Sequence, residues 1–171
     1  MDKWLQHART FYYMQLAIYE AKEAEKKGEV PIGAVVVYEE RVIGRGHNVR
    51  ETTQRASRHA EMIAIDEACA YMNSWRLENT ELFVTLEPCM MCSGAIMQSR
   101  IPRVIYGASD CKGGTVRSLY RLLEDDRLNH RAVVEEGVLQ KQCSSLLTNF
   151  FRTLRQKRKK EKKEVLFQVL G

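Results

Sequence analysis

Apolar positions along this chain recur with two different periods. In residues 4–27, Leu5, Ala8, Phe11, Tyr12, Leu16, Tyr19 and Ala24 return near helical spacing, which predicts an amphipathic helix stopped at Gly28. Residues 33–38 and 42–46 are short β-rich runs around Glu39-Glu40, hence a hairpin. Residues 48–58 are polar and read as loop. Helical spacing resumes over 60–72 through Ile63, Ala64 and Ala68. Residues 81–86 form a strand that delivers the chain to Pro88, where a helix over 89–99 begins. A strand over 104–107, a glycine-containing loop over 108–115, a short helix and a strand near 132–134 follow. The last helix places Cys143, Leu146, Leu147, Phe150, Phe151 and Leu154 on one apolar stripe that ends where lysines begin. Helices alternating with strands predict an α/β fold, layered α/β/α, with helices on both sheet faces.

With 171 residues and 44% apolar composition, one domain with a sizeable core is expected. No apolar run approaches a membrane span, and no secretory signal opens the chain. Five cysteines without framework spacing fit a reducing cytoplasm. Cys69, Cys111 and Cys143 read as small buried apolar residues, with Cys111 the best candidate for a further metal ligand. Net charge is +5, but residues 152–163 hold eight Lys or Arg against Glu161, leaving the remainder at −2. A basic arm on a mildly acidic body suits phosphate contact; a solvated terminal helix is the alternative. The expected division is a domain over 1–156, a basic arm over 157–163 and a tail over 164–171. Val165-Leu166-Phe167-Gln168 in that tail resembles part of a viral protease recognition sequence and is set aside from fold reasoning.

The chemistry concentrates in His59-Ala60-Glu61 and Pro88-Cys89-Met90-Met91-Cys92. One imidazole and two thiols suit zinc held by three protein ligands, with a fourth position open to water and Glu61 beside it to move protons. Cys89 and Cys92 share one face of a first helical turn, and Pro88 suits its start. His59 and Glu61 lie about 200° apart around a helix, so both reach one metal only from a helix end. Two helix N-termini aimed at one zinc are therefore expected, their dipoles favouring thiolate. A dithiol redox pair, or a structural zinc completed by another ligand, would use the same C-x-x-C.

The H-x-E…P-C-x-x-C form is the zinc nucleobase deaminase signature. Around it stand Glu29-Val30-Pro31-Ile32-Gly33-Ala34-Val35, Gly46-His47-Asn48, Trp75-Arg76-Leu77, Tyr106-Gly107-Ala108, Asn129-His130-Arg131 and Phe150-Phe151-Arg152. On these marks residues 4–155 resemble the bacterial tRNA adenosine deaminases of the cytidine deaminase superfamily. The resemblance implies a five-stranded mixed sheet between helices, a cytoplasmic homodimer, and hydrolysis of the wobble adenosine (position 34) of a tRNA anticodon loop to inosine. It implies one zinc per subunit on His59, Cys89 and Cys92, with Glu61 as proton shuttle. Asn48 would bond the flipped adenine, and Asp110 and Lys112 would meet the anticodon loop. Asn129, His130, Arg131, Phe150 and Arg152 would help to hold the substrate strand, while Phe151 reads as core. Arg58 and Arg117 depart from the family's usual small residues and are expected at phosphates or on the solvated surface. A free nucleobase or nucleoside deaminase shares the zinc chemistry; the basic arm and the loop residues argue against it. An RNA-binding module with structural zinc would need a fourth protein ligand.

Overall fold

Strand-forming residues dominate five segments of the computed structural model, which describes residues 3–170, the side chains of 3, 163 and 165–170 apart. The strands are β1 (Gly33–Tyr38), β2 (Arg41–His47), β3 (Thr80–Leu86), β4 (Arg103–Ala108) and β5 (Val133–Glu136). They form one open sheet in the order β2-β1-β3-β4-β5. β1 pairs antiparallel with β2 and β3, whereas β3, β4 and β5 run parallel. Glu39 and Glu40 join β1 to β2 with φ of 44° and 61°, the two left-handed residues of a tight hairpin turn. The helices are α1 (Lys3–Lys26), α2 (Arg50–Thr53), α3 (Ala60–Met72), α4 (Met90–Gln98) and α5 (Gln140–Leu170).

Both sheet faces are buried, which is why the central strands read as nearly continuous apolar runs. Val35, Val37, Phe83 and Ile105 point to a layer made by Tyr13, Met14, Ala17 and Ile18 of α1 and Cys143 of α5. Ala34, Val36, Leu82, Val84, Val104 and Tyr106 point the other way, towards Ala60, Ala64, Ile65 and Ala68 of α3 and Ile96 of α4. The three-layer α/β/α arrangement follows from this period-two alternation.

The closest helix-to-sheet approach sets the position of α3. A Cβ on Gly44 or Gly46 would fall on the backbone oxygen of Ala64 or Ala60 respectively. Glycine on the strand and alanine on the helix let the two backbones meet, and α3 makes its most extensive contact with β2 in this way.

Several sequence expectations need correction. The buried face of α1 is Thr10, Tyr13, Met14, Ala17, Ile18, Ala21 and Ala24, whereas Leu5, Phe11, Tyr12 and Tyr19 are exposed. Two apolar stripes compete on this helix. The one built from smaller residues wins because only it fits against Gly33, whose Cβ would strike Ala17 and Ala21. Phe151, read as core, is 40% exposed and lines an open groove with Val30 and Leu86. Residues 48–58 contain the single turn α2, ended by Gln54 in the left-handed region. Cys143 is buried as expected, but Cys69 is half-buried and Cys111 exposed. α5 continues unbroken through residues 157–163, and the described side chains of that stretch are exposed. Gly171 lies outside the described residues.

Candidate active site

His59 and Cys89 are the N-cap residues of α3 and α4, each with an extended backbone ahead of its helix. Cys92 sits one turn into α4, where the i, i+3 spacing returns it to the side of Cys89. His59 Nδ1 lies 3.7 Å from Cys89 Sγ and 3.6 Å from Cys92 Sγ. Tetrahedral zinc with ordinary Zn–S and Zn–N bonds would separate sulfur from nitrogen by about 3.6 Å, so the donor set fits such an ion. Among the described residues, His59, Cys89 and Cys92 form the one group of three or more potential ligands close enough to share a metal. Cys111 does not join it.

Glu61, in the first turn of α3, is 4% exposed and lies within the electrostatic reach of Cys89, His59 and Cys92. Burial pushes its carboxyl up to about 7. The two thiols are shifted in opposite directions. Hydrogen bonding from Cys92, with help from His59 and the Cys92 N–H, brings Cys89 down to about 4, and the same contact together with burial drives Cys92 upward. The thiolate on Cys89 in turn raises the His59 imidazole. Both helix N-termini face this negative charge.

Two loops border the cluster, and each is organised by a buried carboxylate. Glu29, 1% exposed, accepts hydrogen bonds from the N–H groups of Glu51 (3.2 Å) and Thr52 (2.5 Å) and from Asn48 Nδ2 (3.4 Å). Burial alone would raise its pKa, but hydrogen bonding from the Thr52 side chain and from the Thr52 and Glu51 N–H groups, with the charge of Arg50, outweighs it and holds it below the ordinary value. Glu87, 2% exposed, accepts from the N–H groups of Asp110, Val116, Arg117 and Ser118 and from the Ser118 hydroxyl. Burial is again outweighed, and its pKa too is lowered. Gly114 leaves room for this carboxylate and bridges to Cys89, so the 109–118 loop lies along the start of α4. Neither glutamate was singled out from sequence. The available signal was an acidic residue at the edge of a strand or turn that otherwise enters the core.

The remaining expected site residues separate into two groups. Asn48 is buried, its Oδ1 accepting from the Arg50 N–H at 3.3 Å, and the Val49 N–H bonds to the carbonyl of Arg58 beside His59. Asp110 Oδ1 accepts from the N–H groups of Lys112 and Gly113 and so shapes its own loop, with the Lys112 side chain exposed. Asp110 and Lys112 line a groove of about 690 Å³ together with Val30, Leu86, Phe151 and Arg155 of α5. Phe150 is half-buried and packs edge-on against Phe151, and Arg152 is exposed, bonded to Asn149. Asn129, His130 and Arg131 are not brought to the cluster within one chain. They precede β5, whose parallel pairing with β4 puts its start beside Arg103, about 16 Å of strand from the end where Ala108 meets the site. His130 instead bonds the Ile101 carbonyl, and Asn129 accepts from Arg100. Arg58 pairs loosely with Asp66 at 3.8 Å, whereas Arg117 is half-buried and pairs with Glu124 at 2.9 Å, which removes it from the free cationic surface.

Comparison with known proteins bears on this arrangement. The MafB19-like deaminase family model matches residues 8–155. A tRNA-specific adenosine deaminase of Bacillus subtilis is 54% identical over 153 residues, covering 90% of this chain and 95% of the relative. One from Streptococcus pyogenes serotype M1 is 54% identical over 148 residues, 86% of each. The chain belongs to the tRNA-specific adenosine deaminase family. A solved chain from work on A-to-I editing by tRNA:A34 deaminases, 40% identical, superposes with a TM-score of 0.76 over 80% of this deaminase and 99% of its own length. The deaminase has, among its described residues, no helix long and apolar enough to cross a membrane.

Proposed function

We propose that this deaminase hydrolyses the wobble adenosine of tRNA anticodons to inosine, using one zinc ion per subunit held by His59, Cys89 and Cys92. The observation that carries this reading is the triangle of one nitrogen and two sulfurs at 3.6–3.7 Å with a buried glutamate against it. Its relatives named as tRNA-specific adenosine deaminases supply the substrate class. Zinc so held supplies Lewis-acid activation of a water molecule.

The other steps belong to the chain's own residues. The adenine leaves its stack, because C6 is out of reach within a stacked loop. Asn48, at the cluster's edge, bonds the extruded base. Glu61 takes a proton from the attacking water and delivers it to adenine N1 as the water oxygen bonds to C6. Glu61 then takes the proton of the new C6 hydroxyl and passes it to the amine, the C–N bond breaks, and ammonia departs as the C6 oxygen becomes a carbonyl. Burial keeps bulk water from competing for these protons.

Asp110, Lys112 and Arg152 would contact the anticodon loop along the groove beside α5, with Phe150 packed behind them. Asn129, His130 and Arg131 would reach substrate only from the other subunit of a homodimer. Residues 1–156 act as the catalytic domain, 157–163 as an arm for tRNA phosphates, with 164–171 outside both, and the enzyme works in the cytoplasm, where its substrate is. The deciding experiment incubates the zinc-loaded protein with a transcribed arginine tRNA carrying adenosine at the wobble position and scores inosine. Free adenosine and guanine serve as parallel substrates. Inosine in tRNA alone supports the assignment; turnover of the free compounds alone replaces it.

A further inference from the structure

Resting on that reading, we infer that Glu29 is a positioning residue for substrate: its buried carboxylate sets which way the Asn48 amide faces. An ionised carboxylate only accepts hydrogen bonds, so it holds Asn48 by its Nδ2 end at 3.4 Å. The Val30 carbonyl, a second acceptor, takes the same Nδ2 at 3.4 Å. With both acceptors on the protein side, Asn48 Oδ1 is turned the other way, where the Arg50 N–H occupies one of its two lone pairs at 3.3 Å. A lone pair of fixed direction is left for a donor on the base.

The same carboxylate holds the N–H groups of Glu51 and Thr52, so the turn α2 and the Asn48 side chain share one anchor. Among the described residues, no cation forms an ion pair with Glu29, whose donors are backbone and side-chain groups of residues 48–52. A carboxylate buried on neutral donors is a costly way to hold a loop against an apolar side chain of the same volume. What it supplies instead is direction. The Val49–Arg58 backbone bond then fixes this unit against the residue next to His59.

The test is a double-mutant cycle on the zinc-loaded enzyme, read as kcat/KM for inosine formation in tRNA. Glu29→Gln keeps the volume but turns an amide donor towards groups that are themselves donors. It should lower kcat/KM by about tenfold to a hundredfold, with zinc content unchanged. In an Asn48→Ala background the same change should add no more than about threefold, because the group through which Glu29 acts is gone. Glu29→Asp, which accepts only, should recover part of the loss. Effects that multiply in full in the double variant overturn the inference, because Glu29 then acts independently of Asn48. If Glu29→Gln does not fold, the cycle is run with Glu29→Asp; failure of both to fold makes Glu29 a fold residue and also overturns it. A wild-type enzyme inactive on tRNA refutes the substrate assignment instead, so the two failures are distinguishable.

Discussion

Replacing Gly46 by alanine should damage chemistry more than its single methyl group suggests. The new Cβ would overlap the Ala60 carbonyl oxygen and lie 2.7 Å from Ala64 N, where ordinary contact begins at 3.4 Å. Both neighbours are helix backbone and cannot rotate away, so relieving the overlap with the Ala60 oxygen requires the first turn of α3 to withdraw by about 1.3 Å, or the strand to bend. Overpacking of this kind destabilises by about 1–3 kcal/mol. For a chain of this size that lowers the unfolding midpoint by about 2–12 °C. His59 caps the same turn and Glu61 lies within it, so the displacement passes to both. A misplacement of about 1 Å costs on the order of a hundredfold in rate, so kcat should fall at least tenfold while KM for tRNA changes less. Gly94→Ala is the control. Its Cβ meets nothing within 4 Å, and alanine is the better helix former, so this variant should be as stable as the wild type or more so. Differential scanning fluorimetry, zinc content and single-turnover inosine formation read the comparison. If Gly46→Ala matched Gly94→Ala in both midpoint and kcat, helix-to-sheet spacing would not control the site.

Other consequences can be measured more directly. Glu61→Gln should keep zinc, as read by metal analysis, and reduce turnover by about 10²-fold or more; preserved activity would remove Glu61 from proton transfer. Glu29 and Glu87 both titrate below the ordinary glutamate value of 4.5 in the fold, so their contribution to stability is present above that pH and is lost as pH falls through their lower folded values. The unfolding midpoint should therefore drop on acidification below 4.5, and less steeply in Glu29→Gln, with equal acid profiles counting against the buried-carboxylate account. Deleting residues 157–163 should weaken tRNA binding and flatten its salt dependence by roughly 0.7–0.9 log units per lost phosphate contact, whereas an unchanged slope would leave the arm a solvated helix end.

Legibility in the sequence followed the range of the interactions that decide each feature. Strands and the helices α3 and α4 are set by local period and by Gly and Pro punctuation, and their expected ends fell within two residues of those observed. The metal triangle was legible for the same reason, because the caps at His59 and Cys89 are written in their immediate neighbours. Reading failed where a distant surface chose between local options. On α1 the larger aromatic stripe looked more like core, yet contact with Gly33 selects the small residues of the other face. On α5 the apolar stripe is continuous, but Phe151 lines an open groove instead of entering the core.

That division bears on how specificity is built. The three residues that could hold a metal sit on helix N-termini fixed by backbone packing against the sheet, so their geometry tolerates little change and would serve any substrate whose amine can be displaced by water. The bordering loops at 48–53 and 109–118 each gather several backbone donors onto one buried carboxylate. Such a loop can change the side chains it presents, as at Asp110, Lys112 or Arg50, while Glu29 or Glu87 keeps its path. A rigid chemical centre and separately anchored loops therefore allow recognition of an anticodon to be adjusted without moving the atoms that perform hydrolysis.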